Sequence, residues 1–421
     1  MSSIRDYIRD LRVIDGHEHL ATRQMREKDR TDLFGLLHYL DSDMITAGMP
    51  RGILSKQSGL NIEQKAAVFQ KYWESSRNTT YARMFRTAME DLYGMKDWSL
   101  KGLLDLNEKV ASASLDKDWY RKVMTEKSRI DLAFTLIQTT KVDFEMFRPI
   151  MFLDFTFKLR TLKDIQAVER ASEHHVNSLQ HYLTAVDALL NKYVNEGMVA
   201  TKLGHAYWRT LACEKPTFHE AELVFNRLMA CSLEEGLSQA ETRPLQDYLI
   251  HFIIQRSTAY KLPIQIHTGH HETSVSGNGN IITNSKVSSL LPLLLEYSRT
   301  KFVLLHCGFP YSHEYLTIAK NFPNVYTDFT WVYIMSPTAA KHILHQMIEM
   351  VPQSKIHGFG GDYNFIEGTY AHLKLAKKIV GDVLMEKVED GALDESEAID
   401  FAKAVFRNNL IDFYGLDEKP V

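Results

Sequence analysis

The feature that most constrains this chain is a repeated alternation of short β-branched or apolar runs with longer, helix-length stretches. The runs are RVID (12–15), RIDLAFTLIQ (129–138), RPIMFLDF (148–155), GMVATKL (197–203), LPIQIH (262–267), KFVLLH (301–306), NVYTDF (324–329) and KIHGFGG (355–361). Strands that alternate with helices build parallel βαβ units, and eight of them predict a closed (β/α)8 TIM barrel of the α/β class. With 421 residues, 45% of them hydrophobic, the chain can bury a large core. A single barrel domain over 1–421 is expected, because barrels with insertions reach this length.

One interval breaks the rhythm. Between residues 21 and 128 lie helical patterns such as TDLFGLLHYL and NIEQKAAVFQKYWESS, without a convincing strand. A structureless loop of that length is not expected inside a compact domain. The interval therefore reads as a helical insertion after the first strand, emerging at the C-terminal face where barrel enzymes keep their active sites. A lid or a substrate wall is expected there. The tail beyond residue 371 reads as helices packed around the barrel, ending near Phe413.

The formal net charge of −4 lacks the concentrated basic face that nucleic acid requires. No window approaches the ~18 consecutive apolar residues of a membrane span. Cys213, Cys231 and Cys307 are widely spaced and form no disulfide framework, and the charged N-terminal stretch lacks a signal-peptide pattern. A cytoplasmic enzyme with a small-molecule substrate is expected, without nucleic-acid or membrane partners.

Polar residues end the apolar runs. His17 and His19 follow RVID, and residues two apart on a strand project to the same side, so both imidazoles can reach one ion. Neutral imidazole is a common ligand of zinc and similar metals. His267 closes LPIQIH, His306 closes KFVLLH, and Asp362 follows KIHGFGG. Such side chains are costly to desolvate unless paired or coordinated, and their recurrence at strand ends points to a shared divalent-metal site. Zinc is the expected ion, although manganese and iron accept the same donors.

Lys202 lies within GMVATKL, where a charged amine is ordinarily excluded. Three readings stay open: a structural ion pair, a contact to a substrate carboxylate, or a carboxylated lysine bridging two metals.

His17-x-His19, Lys202, His267, His306 and Asp362, each at a strand end and in this order, resemble the amidohydrolase superfamily, in its "amidohydrolase 2" branch. LPIQIHTG, KFVLLHCGFPY, NFPNVYTDFTW, KIHGFGGDYNF and KLGHAYWRTL are similar to the amidohydrolase domain found fused to glutamine-synthetase-like domains in nodulin-related proteins. The resemblance spans residues 13–362, apart from the 21–128 insertion. It implies that His17, His19 and Asp362 hold one metal, and that His267 and His306 hold a second, bridged by carboxylated Lys202. A one-metal version is also implied by the branch, so one or two ions per chain are expected. Asp362 would act as general base toward water.

The resemblance implies a metal-dependent hydrolase of an amide, ester or lactone of a small carboxylated molecule. The alternative is a decarboxylase or isomerase of a small carboxylic acid, because function lives in the site and not in the barrel. Homo-oligomers are also implied by the family. Tyr207 and Arg209, after the fourth run, are candidate substrate-carboxylate contacts. His270, His271 and Glu272, in a Gly/Ser/Asn-rich stretch read as a loop over the site, are candidate substrate contacts, and Trp331 and Tyr333 are candidate pocket walls. Its NGN element is a candidate anion cradle. Cys307 reads as a strand-end residue and not as a nucleophile.

Overall fold

The computed structural model describes residues 2–29, 31–272 and 280–417. Most of the Gly/Ser/Asn-rich stretch, including NGN apart from Asn280, lies outside the described residues.

All eight expected strands form, as β1 Val13–Glu18, β2 Ile130–Thr135, β3 Phe147–Phe152, β4 Ala200–Leu203, β5 Ile264–Ile266, β6 Phe302–Leu304, β7 Val325–Asp328 and β8 Ile356–His357. They pair in parallel in sequence order. Two main-chain bonds join the end of β8 to β1, Gly16 N to Phe359 O at 3.0 Å and Asp362 N to His17 O at 3.1 Å. The result is a (β/α)8 barrel. The strands are shorter than the apolar runs because each run continues past the ladder into the turn that presents its polar end.

That close approach of β1 and β8 explains the double glycine at the end of KIHGFGG. A Cβ on Gly360 would collide with Thr330 Oγ1, and one on Gly361 with Glu18 Oε1. At the other mouth, the helix Asn409–Tyr414 packs Leu410 and Ile411 into a cluster with Ile14, Leu132, Phe134, Ile150 and Ala200. Each fully buried Leu or Ile stabilises by about 1.5–3 kcal/mol. This end of the barrel is therefore a packed core.

Residues 21–128 fold into helices, among them Arg23–Asp29, Tyr39–Thr46, Ile62–Ser76, Thr80–Tyr93 and Leu100–Leu115. Their starts are written locally: Asn61 and Gln64 form a capping box, Thr79 caps with its side chain onto Ala82 N, and Ser99 onto Gly102 N. An aromatic cluster holds them together, with Trp73 stacked on Trp98 at 4.8 Å and on Phe69 at 5.4 Å.

A buried ion pair anchors these helices to the barrel. Arg26 donates to both oxygens of fully buried Glu367, at 2.6 and 3.0 Å, from the helix Ile366–Glu389 that follows β8. Tyr93 Oη and Trp119 Nε1 donate to the same carboxylate, at 2.6 and 2.8 Å. Among the described residues no helix is long and apolar enough to cross a membrane.

Candidate metal centre

Three sequence-predicted ligands meet at the junction of β1 and β8. One donor atom from each of His17, His19 and Asp362 lies within 4.8 Å of the others. His17 Nε2 stands 3.4 Å from Asp362 Oδ1 and His19 Nε2 3.2 Å from the same oxygen. His17 is buried, whereas the His19 side chain is 40% exposed and marks the open side of the cluster.

The partners of the far ring nitrogens fix the tautomers. His17 Nδ1 lies 2.6 Å from Gln265 Oε1. The Gln265 amide is oriented by its Nε2 donating to Gly16 O and Tyr414 Oη, so its oxygen faces the ring and accepts. His19 Nδ1 donates to the Leu136 carbonyl at 3.1 Å, since a carbonyl can only accept. Both Nε2 atoms are then lone pairs aimed at a carboxylate oxygen. Three acceptors without a proton among them fit a cation. Fixing a ligand histidine through its other nitrogen is how proteins orient such donors.

Protonation offers no way out at neutral pH. Burial, helped by the Lys202 charge, pushes the His17 imidazolium down to about 4. Burial raises the Asp362 carboxyl, and only an N–H donated by His17 or His19 would hold it below the usual range; with both Nε2 atoms unprotonated, a cation is the partner that suits the carboxylate. Tyr39 completes the aspartate: its hydroxyl lies 2.6 Å from the Asp362 carbonyl oxygen and 2.9 Å from Oδ2, leaving Oδ1 to the histidines.

The other two predicted histidines form a neighbouring pair. His306 Nδ1 donates to Thr330 O at 3.1 Å, and His267 Nε2 donates to His270 O at 2.9 Å. Their remaining nitrogens, His306 Nε2 and His267 Nδ1, face one another at 3.0 Å. Two lone pairs at that separation repel, which again suits a shared proton or cation. Tyr207 Oη, 3.0 Å from His267 Nδ1, donates to one of them. Burial lowers both imidazoles, His306 to about 3.

Lys202 is buried in β4, in register with Phe152 and Gln265. Burial pulls its amine down to about 8, against the pull of Asp362, Asp328 and Asp154. It has no ion pair among the described residues within contact distance, so the structural ion-pair reading has no partner here.

Backbone strain gathers at the same place. His306, Trp331 and Asp362 have φ of 66°, 69° and 59°, the left-handed region that non-glycine residues rarely adopt. Each such residue costs on the order of 1–3 kcal/mol and persists where the surroundings over-determine it. Trp331 is buried and stacks on Tyr39 at 4.9 Å, with its indole Nε1 unpartnered. His271 is also buried beside Tyr207 and His267, and neither ring nitrogen has a hydrogen-bond partner of normal geometry among the described residues. Cys307 donates its thiol to Asp328 O at 3.2 Å, and burial raises its pKa well above the ordinary value, which leaves it no thiolate character.

Arg209 does not reach this centre. Its guanidinium is buried and held by Asp247 at 2.5 Å, Ala212 O at 2.8 Å and the Gln246 side chain. With Nε donating to Thr210 O, four of its five N–H groups are engaged within the fold.

Several site residues escaped the sequence reading. Gln265 left a faint trace as a polar residue inside LPIQIH, two before His267. Asp328 ends β7 as the predicted ligands end theirs; it accepts from Thr330 N at 2.8 Å, and burial raises it to about 7. Tyr39 left no trace, because nothing local to the insertion says that its hydroxyl meets Asp362.

Residues 236–415 match the amidohydrolase family. This segment carries His267, His306 and Asp362, which follow β5, β6 and β8. Protein fluG of Emericella nidulans is 27% identical over 188 residues, 43% of this chain and 21% of that protein. The chain thus spans about a fifth of this relative's length. Over nearly the whole chain, the barrel is similar in fold to glucuronate isomerase from Caulobacter crescentus, with a TM-score of 0.81 at 18% identity, covering 99% of this chain and 94% of that one. Uronate isomerase from Thermotoga maritima gives 0.78 at 15% identity, over 98% and 96%.

Proposed function

We propose that this chain is a metal-dependent hydrolase that cleaves the C–N or C–O bond of an amide, ester or lactone in a small carboxylated molecule. The observation that carries the reading is the convergence of His17 Nε2, His19 Nε2 and Asp362 Oδ1 as unprotonated acceptors. Two imidazoles and a carboxylate suit zinc in an open catalytic site. A divalent ion there supplies Lewis-acid polarisation and lowers the pKa of water toward ~7.

The chain's own groups do the rest. Asp362 takes the proton of the attacking water and returns it to the leaving nitrogen or oxygen as the C–N or C–O bond breaks. Tyr39 holds Oδ2, so the carboxylate keeps one orientation throughout. Tyr207, His271 and Trp331 offer hydrogen-bonding groups at the wall. Lys202 either seats the substrate carboxylate as an ammonium or, carboxylated, joins the ligand set with His267 and His306. The insertion serves as the wall that carries Tyr39.

A second reading, an isomerase or decarboxylase of a small carboxylic acid, is favoured by the likeness to uronate isomerases, which extends through the insertion. Asp362 would then move a proton to or from substrate carbon or hydroxyl. Turnover in 18O-labelled water by the zinc-loaded chain, over panels of N-acyl amino acids, lactones and uronic acids, separates the two. Hydrolysis incorporates the label into the product acid; isomerisation and decarboxylation do not incorporate it by bond cleavage. Asp362→Asn is expected to lower kcat by 10³ or more with the fold retained. Full activity in that variant, or in metal-stripped protein, overturns both readings.

A further inference from the structure

Outside the ligand cluster, residues of the insertion and His270, His271, Glu272 and Asn280 after β5 border an open cavity of about 420 Å3. Its wall includes Ser42, Asp43, Tyr81, His270, His271 and Glu272, and among the described residues no lysine or arginine lines it. It adjoins the centre, since His271 lies 5.8 Å from His267 and Tyr81 stacks at 5.1 Å on Tyr39, whose hydroxyl holds Asp362.

The wall is anionic. Glu272 accepts from Tyr81 Oη at 2.9 Å and from Ser42; burial raises its carboxyl, but His270 first, then Ser42 and Tyr81, hold it below the ordinary value. Burial, and then the Glu272 charge, raise the Asp43 carboxyl to about 6, so it is still mostly ionised at pH 7, and its Oδ2 is buried without a hydrogen-bond partner among the described residues. His270 Nε2 stands 3.8 Å from Glu272 Oε1, beyond a normal hydrogen bond. The second observation is His271. It is only 2% exposed, lines the cavity beside Asn280, and neither ring nitrogen has a hydrogen-bond partner of normal geometry among the described residues. A buried polar group of this kind costs about 1–3 kcal/mol when unsatisfied, so a ligand that satisfies it is favoured.

We propose that this cavity binds the ammonium group of an amine-bearing substrate between the Asp43 and Glu272 carboxylates, with the His271 imidazole accepting one of its N–H groups. A primary ammonium has three donors and no acceptor, which matches two carboxylate oxygens and one imidazole lone pair. A carboxylate or phosphate there would meet two like charges. The inference rests on the neighbouring centre being the reacting site, and it narrows the substrate class to small molecules that carry an amine at one end.

The test is calorimetric titration of the zinc-loaded full chain with butylammonium, butan-1-ol and butyrate at pH 7. Butylammonium is expected to bind at least tenfold more tightly than the other two, and to lose tenfold or more in Asp43→Asn and in Glu272→Gln. Equal binding of butan-1-ol, tighter binding of butyrate, or unchanged butylammonium affinity in both variants overturns the proposal. The comparison of the three probes needs no variant, so a misfolded substitution does not block it. Asp362→Asn is expected to bind butylammonium as the parent does. Failure of the assigned reaction and failure of the ammonium site therefore give different results.

Discussion

The hydroxyl of Tyr39 lies 2.9 Å from Asp362 Oδ2 and 2.6 Å from the Asp362 carbonyl oxygen, so a residue of the helical insertion fixes the aspartate that closes the ligand cluster. Tyr39→Phe removes that hold and keeps the stacking on Trp331 and Tyr81. Outer contacts of this kind are typically worth 10–100-fold in metal affinity. Zinc titration against a competing chelator should show a loss in that range, with the melting temperature little changed. Unaltered zinc affinity would show that the contact only packs.

Gln265 acts on His17 from the barrel interior. Gln265→Leu deletes the acceptor for His17 Nδ1 and frees the ring to take the other tautomer, which turns an N–H toward Asp362. A 10–100-fold fall in zinc affinity is expected, whereas Gln265→Glu, which keeps an acceptor, should retain more of it. The ordering of the two variants is the readout. Equal affinity for parent and Gln265→Leu would remove Gln265 from the account.

Metal should also stabilise the fold. Three lone-pair donors face one another across the cluster, so the ion-free protein carries a repulsion that binding relieves. Ligand at 100 times its Kd adds about 2.7 kcal/mol to stability. A calorimetric scan should show the melting temperature rising with zinc and falling with EDTA, and the rise should vanish in the double variant His17→Asn/His19→Asn. A chelator-insensitive melting temperature contradicts the assignment.

The Arg26–Glu367 pair ties the insertion to the barrel. Glu367→Gln leaves the Arg26 charge buried without its partner, which costs about 3–5 kcal/mol in comparable cases. Denaturant unfolding should show a loss of that order. Limited proteolysis should then cut within residues 21–128 before the barrel strands. Cutting at an unchanged rate would mean that the aromatic cluster, and not this pair, anchors the insertion.

Much of the barrel was legible along the chain, because a parallel strand buried on both faces must be an apolar run, and each run from RVID to KIHGFGG became one. The candidate ligands were legible for the same reason. A histidine or aspartate at the end of such a run stands out against its neighbours, as His17, His267, His306 and Asp362 did. Arg209 shows the limit: its position after β4 is readable, but Asp247, which captures it, lies on a distant helix.

The sequence by itself determined the βα rhythm, the residue types at the strand ends and the helix starts in the insertion, since these depend on neighbours a few positions away. Only the tertiary structure decided which of those ends meet, which tautomer each histidine takes, and that Tyr39 reaches Asp362. Those outcomes depend on contacts between residues hundreds of positions apart, such as His17 with Gln265 and Arg26 with Glu367. No local pattern records them, because barrel closure brings the partners together.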